Sequence, residues 1–176
     1  MFENLKRKIG HFVTRKKYLQ KTSEQISYNK VVSNAREFFI IMPTSDADFN
    51  GCLEIIKYFL IHKKTITIFI PEHKNGYIPE KEKFKFISYL HYQETRFHLP
   101  EKKLIQRLQP KAFDVVIDLN RFENVFCSAV TNIVKSKVRI SFSKNASELY
   151  YNLQIVDNNT NPEASYRNFL NYLRMF

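Results

Sequence analysis

Two kinds of apolar pattern alternate along the chain. Phe38-Phe39-Ile40-Ile41-Met42 follows Glu37 as a short, nearly continuous apolar run, the pattern of a strand buried on both faces. Pro43-Thr44-Ser45-Asp46 is turn chemistry. After it Phe49, Cys52, Leu53, Ile56, Phe59 and Leu60 recur at helical spacing, and Lys63-Lys64 closes that helix where the backbone dipole favours cations. Thr65-Ile66-Thr67-Ile68-Phe69-Ile70-Pro71 predicts a second strand, so the unit is strand, helix and parallel strand with a right-handed crossover. Residues 84–97 carry no decisive period, and 101–108 predict a short helix. Phe113-Asp114-Val115-Val116-Ile117-Asp118-Leu119 is the clearest strand signal. Asn120 is expected to cap the next helix, with Glu123 three residues on in capping-box position. That helix would bury Phe122, Val125, Phe126, Ala129, Val130, Ile133 and Val134. Residues 137–142 and 153–156 predict two more strands, and Pro162 opens a closing helix through Tyr166, Phe169, Leu170 and Leu173. The expected fold is therefore α/β and Rossmann-like, a mostly parallel sheet with helices on both faces.

The N-terminal segment follows a different rule. Phe2, Leu5, Ile9, Phe12 and Val13 form one stripe of a helix over residues 1–19, with Lys6, Arg7, Lys8, Arg15 and Lys17 around it. Gly10 weakens that helix by about 1 kcal/mol relative to alanine. Residues 20–36 are polar and read as a linker, which divides the chain into a basic arm at 1–35 and a Rossmann-like domain at 36–176.

Charge sharpens this division. The net charge is +11, and residues 1–30 hold eight Lys/Arg against Glu3 and Glu24. Such an arm favours anionic partners. An interfacial helix on an anionic membrane, packing of the stripe onto the chain's own domain, and nucleic-acid binding all fit the charge; no recognised nucleic-acid module appears, so nucleic acid is not expected. The 16 Phe and 10 Tyr supply an aromatic core, whereas three scattered glycines cannot form a phosphate-cradling loop. Cys52 and Cys127 lie in apolar helical patterns and read as buried, reduced thiols. The five histidines show no metal-ligand spacing, and neither a metal nor a cofactor is expected. Lacking an apolar run of about 18 residues or a signal-peptide core, the chain is expected in the cytoplasm, with the inner-membrane surface as its second possible station.

Taken together, these strands resemble one family. The 113–119 strand, a helix, and Lys137-Val138-Arg139-Ile140-Ser141-Phe142 are similar in order and spacing to the N-terminal half of the family 9 glycosyltransferases, the heptosyltransferase group, where a YDVVIDL strand precedes an AKVRIGF strand. Ile41-Met42-Pro43-Thr44-Ser45-Asp46-Ala47-Asp48 resembles that family's I-x-R-P-x-x-x-G-D turn. The resemblance covers residues 36–176. It implies the acceptor-binding half of a two-domain enzyme of the GT-B type without its donor-binding half, and hence a donor-half protein as partner. Two departures stand out: Ala47 and Ser141 occupy positions where the family has glycine.

The resemblance makes Asp48 the candidate catalytic base toward an acceptor hydroxyl, a role a carboxylate can fill. An alternative reading is structural: Ser45-x-x-Asp48 is a capping box, and an acid in a first helical turn is stabilising without any chemistry. Ser45, Asp118, Asn120 and Arg121 are candidate acceptor-binding residues, because open α/β sheets bind ligands at the carboxyl ends of their strands. For Asn120 a helix cap, and for Arg121 a solvated guanidinium, are the structural alternatives. The expected function is thus a heptosyltransferase-like half, inactive alone, serving as an accessory or as half of a split glycosyltransferase in cell-envelope glycan synthesis. The competing expectation is a non-enzymatic interaction module with a basic arm for an anionic membrane or nucleic acid.

Overall fold

The computed structural model describes residues 2–19 and 26–176, so most of the early part of the expected linker, residues 20–25, lies outside the described residues. Six strands form one parallel sheet: β1 (Glu37–Ile41), β2 (Thr65–Pro71), β3 (Lys85–Tyr89), β4 (Val115–Asp118), β5 (Val138–Phe142) and β6 (Leu153–Ile155). Their order is β3-β2-β1-β4-β5-β6, so the order reverses between β1 and β4. This is the doubly wound Rossmann arrangement, in which that reversal opens a crevice at the carboxyl ends of the strands.

Among the described residues six α-helices accompany the sheet: α1 (Phe2–Lys17), the single turn α2 (Val31–Asn34), α3 (Asp46–Ile61), α4 (Lys102–Leu108), α5 (Val125–Ile133) and α6 (Pro162–Leu173). Strand alternation divides the core in two. Phe38 and Ile40 face α3 and α6 with Cys52, Phe59, Tyr166 and Phe169, while Phe39 and Ile41 face α4 and α5 with Leu104, Leu108, Phe126 and Val130. A strand buried on both faces has to be apolar at consecutive positions, which is why β1 reads as an unbroken run. Cys52 and Cys127 are free thiols, one in each core layer, and burial pushes both well above the usual thiol range. Neither is accessible as a thiolate nucleophile.

Two helix seams depend on glycine. A Cβ on Gly51 would lie 2.7 Å from the Tyr166 ring, where α3 crosses α6. A Cβ on Gly10 would lie 2.4 Å from the Phe97 carbonyl oxygen and 2.8 Å from Val125, where α1 crosses the start of α5. Gly10 therefore lowers the helix propensity of α1 but permits its close approach to the domain.

The helix expected to begin after Asn120 begins four residues later, at Val125. Its cap is Asn124, whose side chain accepts from the Cys127 N–H at 3.0 Å. Asn120 instead donates its side-chain amide to Asp118, and Phe122 is exposed rather than buried. Residues 119–124 are thus a loop on the carboxyl edge, with room for side chains that a helix would have taken into its own face.

Candidate functional site

The carboxyl edge of the sheet is built from the turn after β1, the loop after β4 and the segment leading into α6. Ser45 caps α3 by accepting from the Asp48 N–H at 3.3 Å. The reciprocal half of the expected capping box is missing. Asp48 turns its carboxylate across the β1/β4 crevice, where Oδ1 accepts from Arg121 Nε at 2.6 Å. Asp48 is only 4% exposed. Arg121 Nη1 further donates to the carbonyls of Asn159 and Thr160 and to Ser165 Oγ, at 3.1–3.3 Å. One guanidinium therefore joins α3, the 159–160 segment and α6 over the crevice.

A second, separate cluster surrounds Asp118. Its side chain is fully buried and accepts from Lys144 Nζ at 2.7 Å, from the Asn120 side chain at 2.6 Å and backbone N–H at 3.0 Å, and from the Tyr151 hydroxyl. Burial together with this carboxylate pushes the Tyr151 hydroxyl well above the usual phenol range, so it donates and does not ionise. Lys144 also donates to the Asn120 carbonyl at 2.8 Å, which fixes the start of the 119–124 loop. Ser141 Oγ donates to the Asp118 carbonyl at 3.2 Å, so the side chain that replaces glycine there has a hydrogen bond of its own.

The candidate residues thus fall into two groups. Ser45, Asp48 and Arg121 meet at the crevice; Asp118 and Asn120 belong to an internal network beside it, where Asp118 offers no surface to a ligand. Ala47 is exposed on the first turn of α3.

The open space on this edge lies elsewhere. A cavity of about 510 Å³ is lined by Thr44, Pro71, Glu72, His73, Tyr89 and Glu94 with their neighbours, beyond the ends of β2 and β3. Next to it the buried Lys74 donates to the Thr44 carbonyl and to Asp46 Oδ1, and that hydrogen bond holds the Asp46 carboxyl below the usual carboxylate range. A smaller cavity of about 220 Å³ adjoins Arg121, between Phe122, Phe142 and Asp157. A larger one, about 720 Å³, opens at the amino ends of β4 and β5 around Phe113 and Lys137, the end where this fold does not place its ligands. Sequence reasoning missed the 510 Å³ cavity because β3 lies in the stretch that showed no decisive period. Ile87 and Tyr89 turn inside in alternation, but Phe86 between them blurs that period in the sequence. Among the described residues no group of three or more His, Cys, Asp or Glu could hold a metal ion.

This sheet order and edge can be compared with known proteins. A family model described as a family of unknown function, DUF6913, matches residues 11–176. The chain belongs to that family. None of the curated proteins matches it. Among solved structures, the E. coli heptosyltransferase WaaC with ADP is similar with a TM-score of 0.56 and 14% sequence identity, over 77% of this chain and 46% of that one. The similarity establishes a fold like that of a glycosyltransferase domain, and the chain corresponds to less than half of the enzyme's length. No helix among the described residues is long and apolar enough to cross a membrane.

Proposed function

We propose that this DUF6913 chain is an acceptor-side half of a heptosyltransferase-like fold, inactive alone, that serves as an accessory or partner subunit in cell-envelope glycan synthesis. The observation that carries the reading is the Asp48–Arg121 pair. The carboxylate in the position of a catalytic base is buried and bonded to a guanidinium at 2.6 Å. A base must reach the proton it abstracts, and this one is committed to a cation that is itself held by three other groups. Fold alone assigns no activity, so the solved relative supports the architecture and the pair supports the lack of independent catalysis.

The test is calorimetric titration of the purified chain with a panel of nucleotide sugars. The expected result is no saturable heat, because no Gly-rich phosphate cradle is present. A micromolar site would overturn the reading.

A second reading, a non-enzymatic interaction module, is favoured by the closure of both edge carboxylates, Asp48 and Asp118. The two readings separate in a reconstitution assay. A glycosyltransferase partner should gain transfer activity from this chain under the first reading and none under the second.

A further inference from the structure

α1 is attached to the domain by the wrong face for an ordinary amphipathic helix. Its buried positions are Gly10 and Thr14, and its polar ties are histidines. His11 lies 2.7 Å from the Tyr150 hydroxyl and 2.8 Å from Glu123 Oε1, and His98 lies 2.6 Å from both Glu3 Oε1 and Glu94 Oε1. The apolar stripe points the other way. Phe2 is 82% exposed, Phe12 65% and Leu5 55%, with Ile9 and Val13 half-buried between them. At 100° per residue these side chains form one ridge about 15 Å long, centred roughly 130° around the helix from Gly10 and Thr14.

Exposed cations border the ridge: Lys8 and Arg15 on one flank, Lys17 on the other, and Lys16 within it. Lys16 Nζ sits 5.9 Å from the centroid of the Phe12 ring. The one acid of the helix, Glu3, is already tied to Lys6 and His98, which together hold its carboxyl below the usual range. A second copy meeting this ridge about a twofold axis would set the cations of one helix against those of the other. The complementary partner is apolar within and anionic at its rim.

We propose that α1 is an interfacial helix that lays Phe2, Leu5, Ile9 and Phe12 into an anionic lipid surface while its lysines and arginines reach the headgroups. Glu94 lines the carboxyl-edge cavity and is joined through His98 to Glu3 at the start of α1. This inference stands apart from the glycosyltransferase reading, since vesicle binding and sugar-nucleotide binding are read independently.

The experiment is sedimentation of the full chain with phosphatidylcholine vesicles, with and without about 30 mol% phosphatidylglycerol, at low and high salt. Anionic lipid should raise the bound fraction at least about tenfold, and about 0.5 M salt should release it, because screening weakens each basic contact. The triple variant Phe2→Ser, Leu5→Ser, Phe12→Ser changes only exposed side chains, so it should keep the wild-type circular dichroism and Tm while losing binding about tenfold. Lys8→Glu with Lys16→Glu should lose binding to the anionic vesicles alone. Equal binding by the triple variant would overturn the proposal, since the ridge would then be idle. So would absence of vesicle binding, including the case where wild type instead forms dimers that the triple variant abolishes.

Discussion

Replacing Asp118 by alanine is expected to cost about 3–5 kcal/mol of folding stability, the penalty for leaving a buried charge without its counter-ion. The stranded group is Lys144, whose side chain is 4% exposed and whose only carboxylate partner among the described residues is Asp118. At about 2–4 °C per kcal/mol for a domain of this size, thermal denaturation should show Tm lowered by roughly 10 °C. The Asn120 amide and the Tyr151 hydroxyl lose the same acceptor, which pushes the effect toward the upper end. Asp118→Leu combined with Lys144→Met should recover the part of the loss due to the stranded Lys144 charge, because an apolar pair leaves no charge to solvate, while the Asn120 and Tyr151 donors still lack their acceptor. A loss below about 1 kcal/mol in the single variant would mean that water reaches this cluster and that Asp118 remains available to a ligand.

The next largest effect is expected at Asp48. As a helix cap alone it would be replaced by asparagine almost without consequence. The structure raises the stake, because the carboxylate holds Arg121 across the crevice at 2.6 Å. Asp48→Asn keeps an acceptor oxygen but removes the charge, so a loss of about 1.5–3 kcal/mol is expected, and Asp48→Ala should exceed it. Arg121→Met in the Asp48→Asn background should add less than it does alone, since the two side chains form one unit. The measurement is denaturant unfolding of the wild type and of these four variants. If Asp48→Asn unfolds at the wild-type midpoint, the pair contributes nothing in solution and the carboxylate is free for proton transfer, which would weaken the accessory reading.

How much of this could be read from residues alone depends on how local the cause is. β1, β2, β4 and β5 were legible because strands covered on both faces need consecutive apolar residues, and α3 and α6 because one buried stripe repeats at 3.6 residues. β3 was not, because it is an edge strand with only Ile87 and Tyr89 fully inside and short 3₁₀ turns on either side. The start of α5 was misplaced because two asparagines compete for the cap. Asn120 is taken by Asp118, and only the folded chain reveals that Asn124 is left for the helix. The candidate site has the same character. Ser45, Asp48 and Arg121 were recognisable one by one from their places at strand ends, but the pairing of Asp48 with Arg121 spans 73 residues and leaves no local trace. Lys144 and Tyr151, which seal Asp118, carry no motif. For α1 the pattern identified the stripe but could not say which side faced the domain, since that was decided by the space at Gly10 and by two histidine contacts.

The way α1 is fastened bears on how it would come loose. Helices held by a greasy face resist release because water must cover the uncovered carbon, and the event carries a large heat-capacity change and strong denaturant dependence. Here the fastened side is a glycine, a threonine and a set of polar ties, while the carbon-rich side already faces outward. The apolar surface uncovered on lifting α1 would therefore come mainly from the domain side, from Val125 and the face of α5 that the helix covers, since every residue of α5 is buried in the folded chain. Such a step would carry a heat-capacity change and a urea dependence set by that one covered patch, smaller than those of unfolding the sheet beneath.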